Sequence, residues 1–152
     1  ARLGSDWMPA SQRRVDTVLL AVDPHPNQGL GYGTAPIGAK VTVTAPEIVT
    51  VDVSATLQLA AGYTPEQMRP LVEKAAGDYL LSIRREWAQP DAGQLTSYSS
   101  WVYLARMTAA ILLAPGVVNA TGVALNGSAA DLELIQTGLT QQAPVLGAVT
   151  LT

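Results

Sequence analysis

Cysteine is absent from the 152-residue chain, and histidine occurs once, at position 25. The first absence removes disulfides, thiol nucleophiles, iron–sulfur clusters and cysteine zinc sites; the second removes any histidine-rich metal centre. Charge is scarce as well: 14% of residues are charged, nine Lys+Arg stand against twelve Asp+Glu, and the formal net charge is −3. Such a balance supplies no general attraction to nucleic acid or to an anionic membrane. Long apolar runs are also missing. Val18–Val22 and Ala109–Ala114 are the most apolar stretches, and both fall far short of the roughly 20 residues that a bilayer-spanning helix needs. No membrane-spanning segment is therefore expected. The first residues, Ala1-Arg2-Leu3-Gly4-Ser5-Asp6, carry neither an initiator methionine nor the apolar centre of a signal peptide, and read as an internal or processed start.

What is present is apolar. Hydrophobic residues make up 48% of the chain, which is long enough to bury roughly two-thirds of its unfolded surface. Size favours one domain with a small appendage, and the low charge favours a surface hidden in a partner. Val15–Val22 reads as a strand with Val18, Leu20 and Val22 on one face, ended by Asp23-Pro24-His25-Pro26-Asn27-Gln28-Gly29. Gly29–Gly38, with glycine at three alternate positions, reads as an ordered connector. Lys40–Thr44 alternates as a strand that Pro46 interrupts, and Ile48–Leu59 as a longer one with Val49, Val51, Val53 and Ala55 on one parity.

Thr64-Pro65-Glu66-Gln67 predicts a helix start, with Thr64 as N-cap, Pro65 at the first helical position and Gln67 closing a capping box. Met68, Leu71, Val72, Ala75, Tyr79, Leu80, Ile83 and Trp87 form its apolar stripe, and Pro70 shifts the regular part downstream. A second helix is expected from a cap near Ser97 to Leu113, with Trp101, Leu104, Thr108 and Ile111 on its apolar face. Strands follow at Val117–Leu125, at Asp131–Ile135 as the hairpin return after Asn126-Gly127, and at Val145–Leu151. Strands, two helices and strands again imply an α+β fold: a mixed or antiparallel β-sheet with two α-helices packed mainly on one face. Residues 1–39 are assigned to an N-terminal strand and Gly/Pro-rich connector, the remnant of a preceding domain, and residues 40–152 to the α+β module.

No chemistry-bearing pattern is complete. Gly29, Gly31, Gly33 and Gly38 could expose amides to a phosphate, but they form neither a P-loop nor a Gly-x-Gly-x-x-Gly turn. His25 has no companion ligands or nucleophile; Asp16 and Asp23 beside it are expected to end strands or stay solvated. There is no Gly-x-Ser-x-Gly elbow, and Ser97, Ser99 and Ser100 suit helix capping. Glu66, Glu73 and Glu86 are spaced as a solvated helix face, and Arg84-Arg85 as charges matching a helix C-terminus. The reading is therefore non-enzymatic, with no catalytic residues, no metal and no cofactor. Interface anchors are sought instead at Trp7, Tyr32 and Ile37.

The segment Gly29-Leu-Gly-Tyr-Gly-Thr-Ala-Pro-Ile-Gly38-Ala-Lys-Val-Thr-Val-Thr-Ala-Pro46 resembles the contractile-phage baseplate J-like family. The resemblance continues through Val51-Asp-Val-Ser-Ala-Thr-Leu57, the Thr64-Pro-Glu66 helix start, Pro115-Gly-Val-Val-Asn119 and Pro144-Val-Leu-Gly-Ala-Val-Thr-Leu151, covering about residues 15 to 152. It implies a structural subunit, the C-terminal portion of a baseplate wedge protein of a bacteriophage or prophage contractile tail. The implied partners are other wedge or hub proteins and further copies of the chain, in a virion tail baseplate assembled in the bacterial host cytoplasm. A different structural adaptor, or a small enzyme, is the alternative reading.

Overall fold

A computed structural model describes residues 7–87, 100–137 and 140–152. The chain divides into two compact units, Ala1–Glu47 and Ile48–Thr152.

The first unit holds helix α1, Gln12–Val22, where the sequence predicts a strand. Period-2 reading puts Val18 and Leu20 on a buried face, yet both are exposed; the protected residues are Val15, Leu19 and Val22, spaced four and three apart. Gln12, Arg13 and Arg14 ahead of them favour a helix, and one more turn of upstream sequence tips the period from two to 3.6. After α1 the chain folds as the glycine-rich connector. Lys40–Thr44 is not in a strand: from Ala39 to Pro46 there is neither turn nor helix and no ladder partner among the described residues.

The second unit is built on β1, Glu47–Leu59. Its inward parity, Val51, Val53 and Ala55, is buried, while Asp52 and Thr56 face out. β3 (Val117–Leu125) lies antiparallel on one side of β1, and β5 (Gln142–Leu151) lies on the other. The Thr152 amide donates to the Ala55 carbonyl at 3.1 Å, and the Leu57 amide donates to the Thr152 carbonyl at 2.7 Å, the pattern of a parallel pair. The sheet is therefore mixed. β2 (Ser100–Val102) and β4 (Leu132–Leu134) form a separate antiparallel pair, with Ser100 opposite Leu134.

Two irregularities decide which side of β3 is buried. Between the pairs Ser54↔Ala124 and Thr56↔Thr121, β1 has only Ala55 while β3 has Gly122 and Val123; Val118 is a second extra residue before Val117 meets Leu59. Each bulge inverts the side-chain alternation. In strict alternation, polar Asn119 and Thr121 would join Val117, Val123 and Leu125 in the core. With the bulges, Ala120 turns inward and Asn119 and Thr121 are exposed. Gly122 sits at φ +58°, where a side chain is strained.

Helix α2 (Pro65–Trp87) begins as its sequence predicts. The Gln67 amide donates to Thr64 Oγ1 at 3.4 Å, and the Thr64 amide donates to Gln67 Oε1 at 3.1 Å, closing the capping box. The helix includes Pro70 rather than starting beyond it, and forgoes the bond that an amide at position 70 would donate to the Glu66 carbonyl. Its buried stripe is Met68, Val72, Ala76, Leu80 and Ile83; Leu71 is exposed. Helix α3 is shorter than expected, Leu104–Leu112, and Trp101 lies in β2, not in that helix. Ser97 and Ser99 lie outside the described residues. Asp131, distant in sequence, caps α3 by accepting the Leu104 amide at 2.8 Å, and the Tyr79 hydroxyl accepts the preceding amide of Tyr103 at 3.0 Å.

The Asn126-Gly127 turn forms, with both residues at positive φ and Leu125 and Ser128 exchanging backbone bonds of 2.9 Å. The expected return strand departs, however: β4 pairs with β2, and Val102 and Leu134 are fully buried in the core that the inward residues of β3 share.

Helix α2 packs on β5 and α3 on β3, and one cluster joins Val51, Val53 and Ala55 with Met68, Leu80, Met107, Ile111, Leu125, Leu134 and Val149. Full burial of each large side chain contributes about 1.5–3 kcal/mol. Leu80→Ala should lower unfolding stability by about 2–5 kcal/mol, whereas Leu113→Ala, at a residue 83% exposed, should change it by less than about 0.5 kcal/mol. Urea denaturation followed by circular dichroism measures both.

Candidate interaction surface

The connector of the first unit is organised by one carboxylate. Asp23, which the sequence reading leaves solvated or at a strand end, is 1% exposed. Its Oδ1 accepts the Gly29 amide at 2.7 Å and its Oδ2 the Val41 amide at 2.9 Å, pinning both ends of the connector beside α1. The bonds from Val41 and Gly29 hold its pKa below the ordinary 3.8, outweighing the opposing effect of burial; His25 and Lys40 add smaller favourable fields.

The connector then covers the end of α1, whose last carbonyls lack helical partners. The Thr34 amide donates to Ala21 at 3.2 Å and the Ala35 amide to Val22 at 2.9 Å. Gly33 makes this approach feasible, since a Cβ there would collide with the Val22 carbonyl. The Gly38 amide closes the loop on the Gly29 carbonyl at 2.7 Å. The amides of Gly29, Thr34, Ala35 and Gly38 are thus consumed by the chain itself.

With its backbone turned inward, the loop presents side chains outward. Tyr32 is 72% exposed and Ile37 83% exposed, with Leu30 exposed beside them in sequence. Ile37 Cγ1 lies only 2.6 Å from where a Gly31 Cβ would be, so the absent side chain at Gly31 leaves room for Ile37. Trp7 is half-buried, at φ 60°. The structure brings Ile37 against Gly31, next in sequence to Tyr32, inside the first unit.

The second unit carries its own exposed apolar residues, Tyr63, Leu112, Leu113 and Val118. Tyr63 covers Gly116, where a Cβ would stand 2.9 Å from its ring. Elsewhere the polar side chains knit the fold. Asp52 Oδ1 crosses onto β5 and accepts the Ala148 amide at 2.7 Å, over a Gly147 that could bear no Cβ there. Asn126 Oδ1 accepts the Asp52 amide at 2.7 Å. Arg69 Nη1 donates to the Val149 carbonyl at 2.9 Å, and Arg84 Nη1 to that of Pro144. Arg84 is therefore a helix-to-strand clamp rather than a solvated C-terminal charge, and its burial lowers its pKa. His25, Glu66 and Glu86 are exposed. Among the described residues, no group of three or more His, Cys, Asp or Glu could hold a metal, and no helix is long and apolar enough to cross a membrane.

The model of the baseplate J-like protein C-terminal domain matches residues 51–152, which is nearly the whole second unit. The chain belongs to this baseplate J-like family. No curated protein matches it. The family is structural and non-catalytic, and its domain serves assembly in the phage baseplate. This agrees with a site whose polar groups are spent on holding strands and helices together. The match begins inside β1, so the connector motif of residues 29–46 lies outside it; the baseplate J-like assignment rests on the α+β unit.

The fastening roles of Asp23, Asp52 and the Asn126 side chain escaped the sequence reading. Only Asn126, in its Asn-Gly turn, carried a local signal, because the others act through partners far along the chain. Asp23→Ala should unclasp the connector and speed amide exchange at Gly29 and Val41. Since the folded pKa of Asp23 lies below 3.8, its contribution is complete above that pH and lost as the pH falls further. Exchange at these two amides, relative to α2 amides, should rise on acidification below 3.8 in the natural chain and be independent of pH in Asp23→Asn.

Proposed function

We propose that the chain acts as the C-terminal module of a baseplate wedge protein in a bacteriophage or prophage contractile tail, joining other wedge or hub subunits in a baseplate assembled in the host cytoplasm. The observation that carries this reading is the family match over a self-contained α+β unit. Residues 40–152 serve as the structural module and residues 1–39 as the connector that presents Trp7, Tyr32 and Ile37 to neighbouring subunits. The exposure of Tyr32 and Ile37 on a loop held by its own hydrogen bonds supports that role, since a rigid apolar anchor loses little entropy on docking.

Co-purification with the tail proteins encoded beside it, followed by light scattering, tests the reading. A stable complex of wedge size is expected, and a photo-crosslinking residue at position 37 should label a wedge or hub subunit. A chain that stays free in every mixture, or labels only sheath or capsid protein, overturns it.

A further inference from the structure

One side-chain amide takes the place of a peptide group in the sheet. Asn126, exposed in the turn after β3, donates its backbone amide to the Asp52 carbonyl at 2.9 Å, and its Oδ1 accepts the Asp52 amide at 2.7 Å. Its Nδ2 donates to the Thr50 carbonyl at 3.2 Å. The side chain thus continues along β1 the ladder that β3 leaves at the pair Val53↔Leu125. The residue that follows is Gly127. Its amide makes no hydrogen bond among the described residues, and nothing lies within 4 Å of where its Cβ would be.

An asparagine followed by glycine carries its own reaction, because no side chain shields the next nitrogen. The Gly127 nitrogen gives up its proton and bonds to Asn126 Cγ. The Cγ–Nδ2 bond breaks, ammonia leaves with that proton, and a five-membered succinimide remains. Water then opens the ring: cleavage of the Cγ–N bond gives aspartate, and cleavage of the original peptide bond gives isoaspartate. We propose that Asn126 is a site of spontaneous deamidation gated by the β1–β3 ladder, inert while the ladder is closed and reactive when its end opens. The nitrogen must approach the face of the side-chain amide. With Oδ1 and Nδ2 both held by the backbone of β1, that plane cannot turn toward Gly127 until the two bonds part. Once made, the change works against reclosure. A carboxylate has no donor for the Thr50 carbonyl, and isoaspartate adds a backbone atom to a two-residue turn that keeps Leu125 against Ser128. The inference is independent of the baseplate reading, since it uses only this turn and the strand beside it.

Peptide mapping by mass spectrometry, following aspartate and isoaspartate at position 126 in the full chain at mildly alkaline pH, tests it. Deamidation is expected to be at least about tenfold slower in the folded chain than in the chain unfolded by guanidinium chloride. At guanidinium concentrations below the unfolding transition, the deamidation rate and the amide exchange of Asp52, read by NMR, should rise by the same factor. Val53→Ala, which thins the packing opposite Leu125, should raise both together without denaturant. A folded rate equal to or above the unfolded one overturns the proposal. So does a folded rate that stays flat while exchange at Asp52 rises, or an Asn126 that stays intact in the unfolded chain.

Discussion

Burial of one face of β1 is the constraint on which the second unit depends. Val51, Val53 and Ala55 can leave water only if strands flank them in the sheet and helices cover them, and β3, β5, α2 and α3 supply those neighbours from far apart in the chain. The bulges in β3 serve the same end. A strand whose alternation would place Asn119 and Thr121 in the core is brought into agreement by two extra residues, one allowed by Gly122. Burying two unpartnered polar side chains would cost more than the local break in the ladder.

Polar side chains then act as fasteners. Arg69, near the start of α2, reaches Val149 near the end of β5, while Arg84, near the end of the helix, reaches Pro144 near the start of the strand. Helix and strand therefore run in opposite directions and are held at both ends. Asp52 and Asn126 tie β1 to β5 and to the β3 turn on the outer face. Asp23 has the equivalent part in the first unit, gathering two distant amides so that a glycine-rich segment keeps one shape. Ionisable groups engaged in this way hold backbone rather than substrate, as suits a structural family whose work is to join subunits.

The reading of the chain was most accurate where a signal is local and long. The Thr64–Gln67 capping box, the Val51/Val53/Ala55 parity, the Asn126-Gly127 turn and the non-catalytic baseplate character were all legible, because each is carried by neighbouring residues or by a family pattern. It failed where a window was short. Val15–Val22 satisfies period two nearly as well as 3.6, and only its full span with Gln12–Arg14 separates them. Trp101 fits an apolar helical spacing yet stands in β2, whose partner strand lies some thirty positions on.

Sequence alone thus settled the existence and buried face of β1 and α2, the absence of thiol and histidine-cluster chemistry, and the α+β class, since side-chain periodicity and composition are properties of the chain itself. Strand pairing was left to the folded state: β4 with β2 instead of β3, β5 parallel to β1, and Asp23, Asp52 and Arg84 each against backbone far away in sequence. Hydrogen bonds between distant residues have no periodic trace in the sequence, and they form only where packing has already brought their donors and acceptors together.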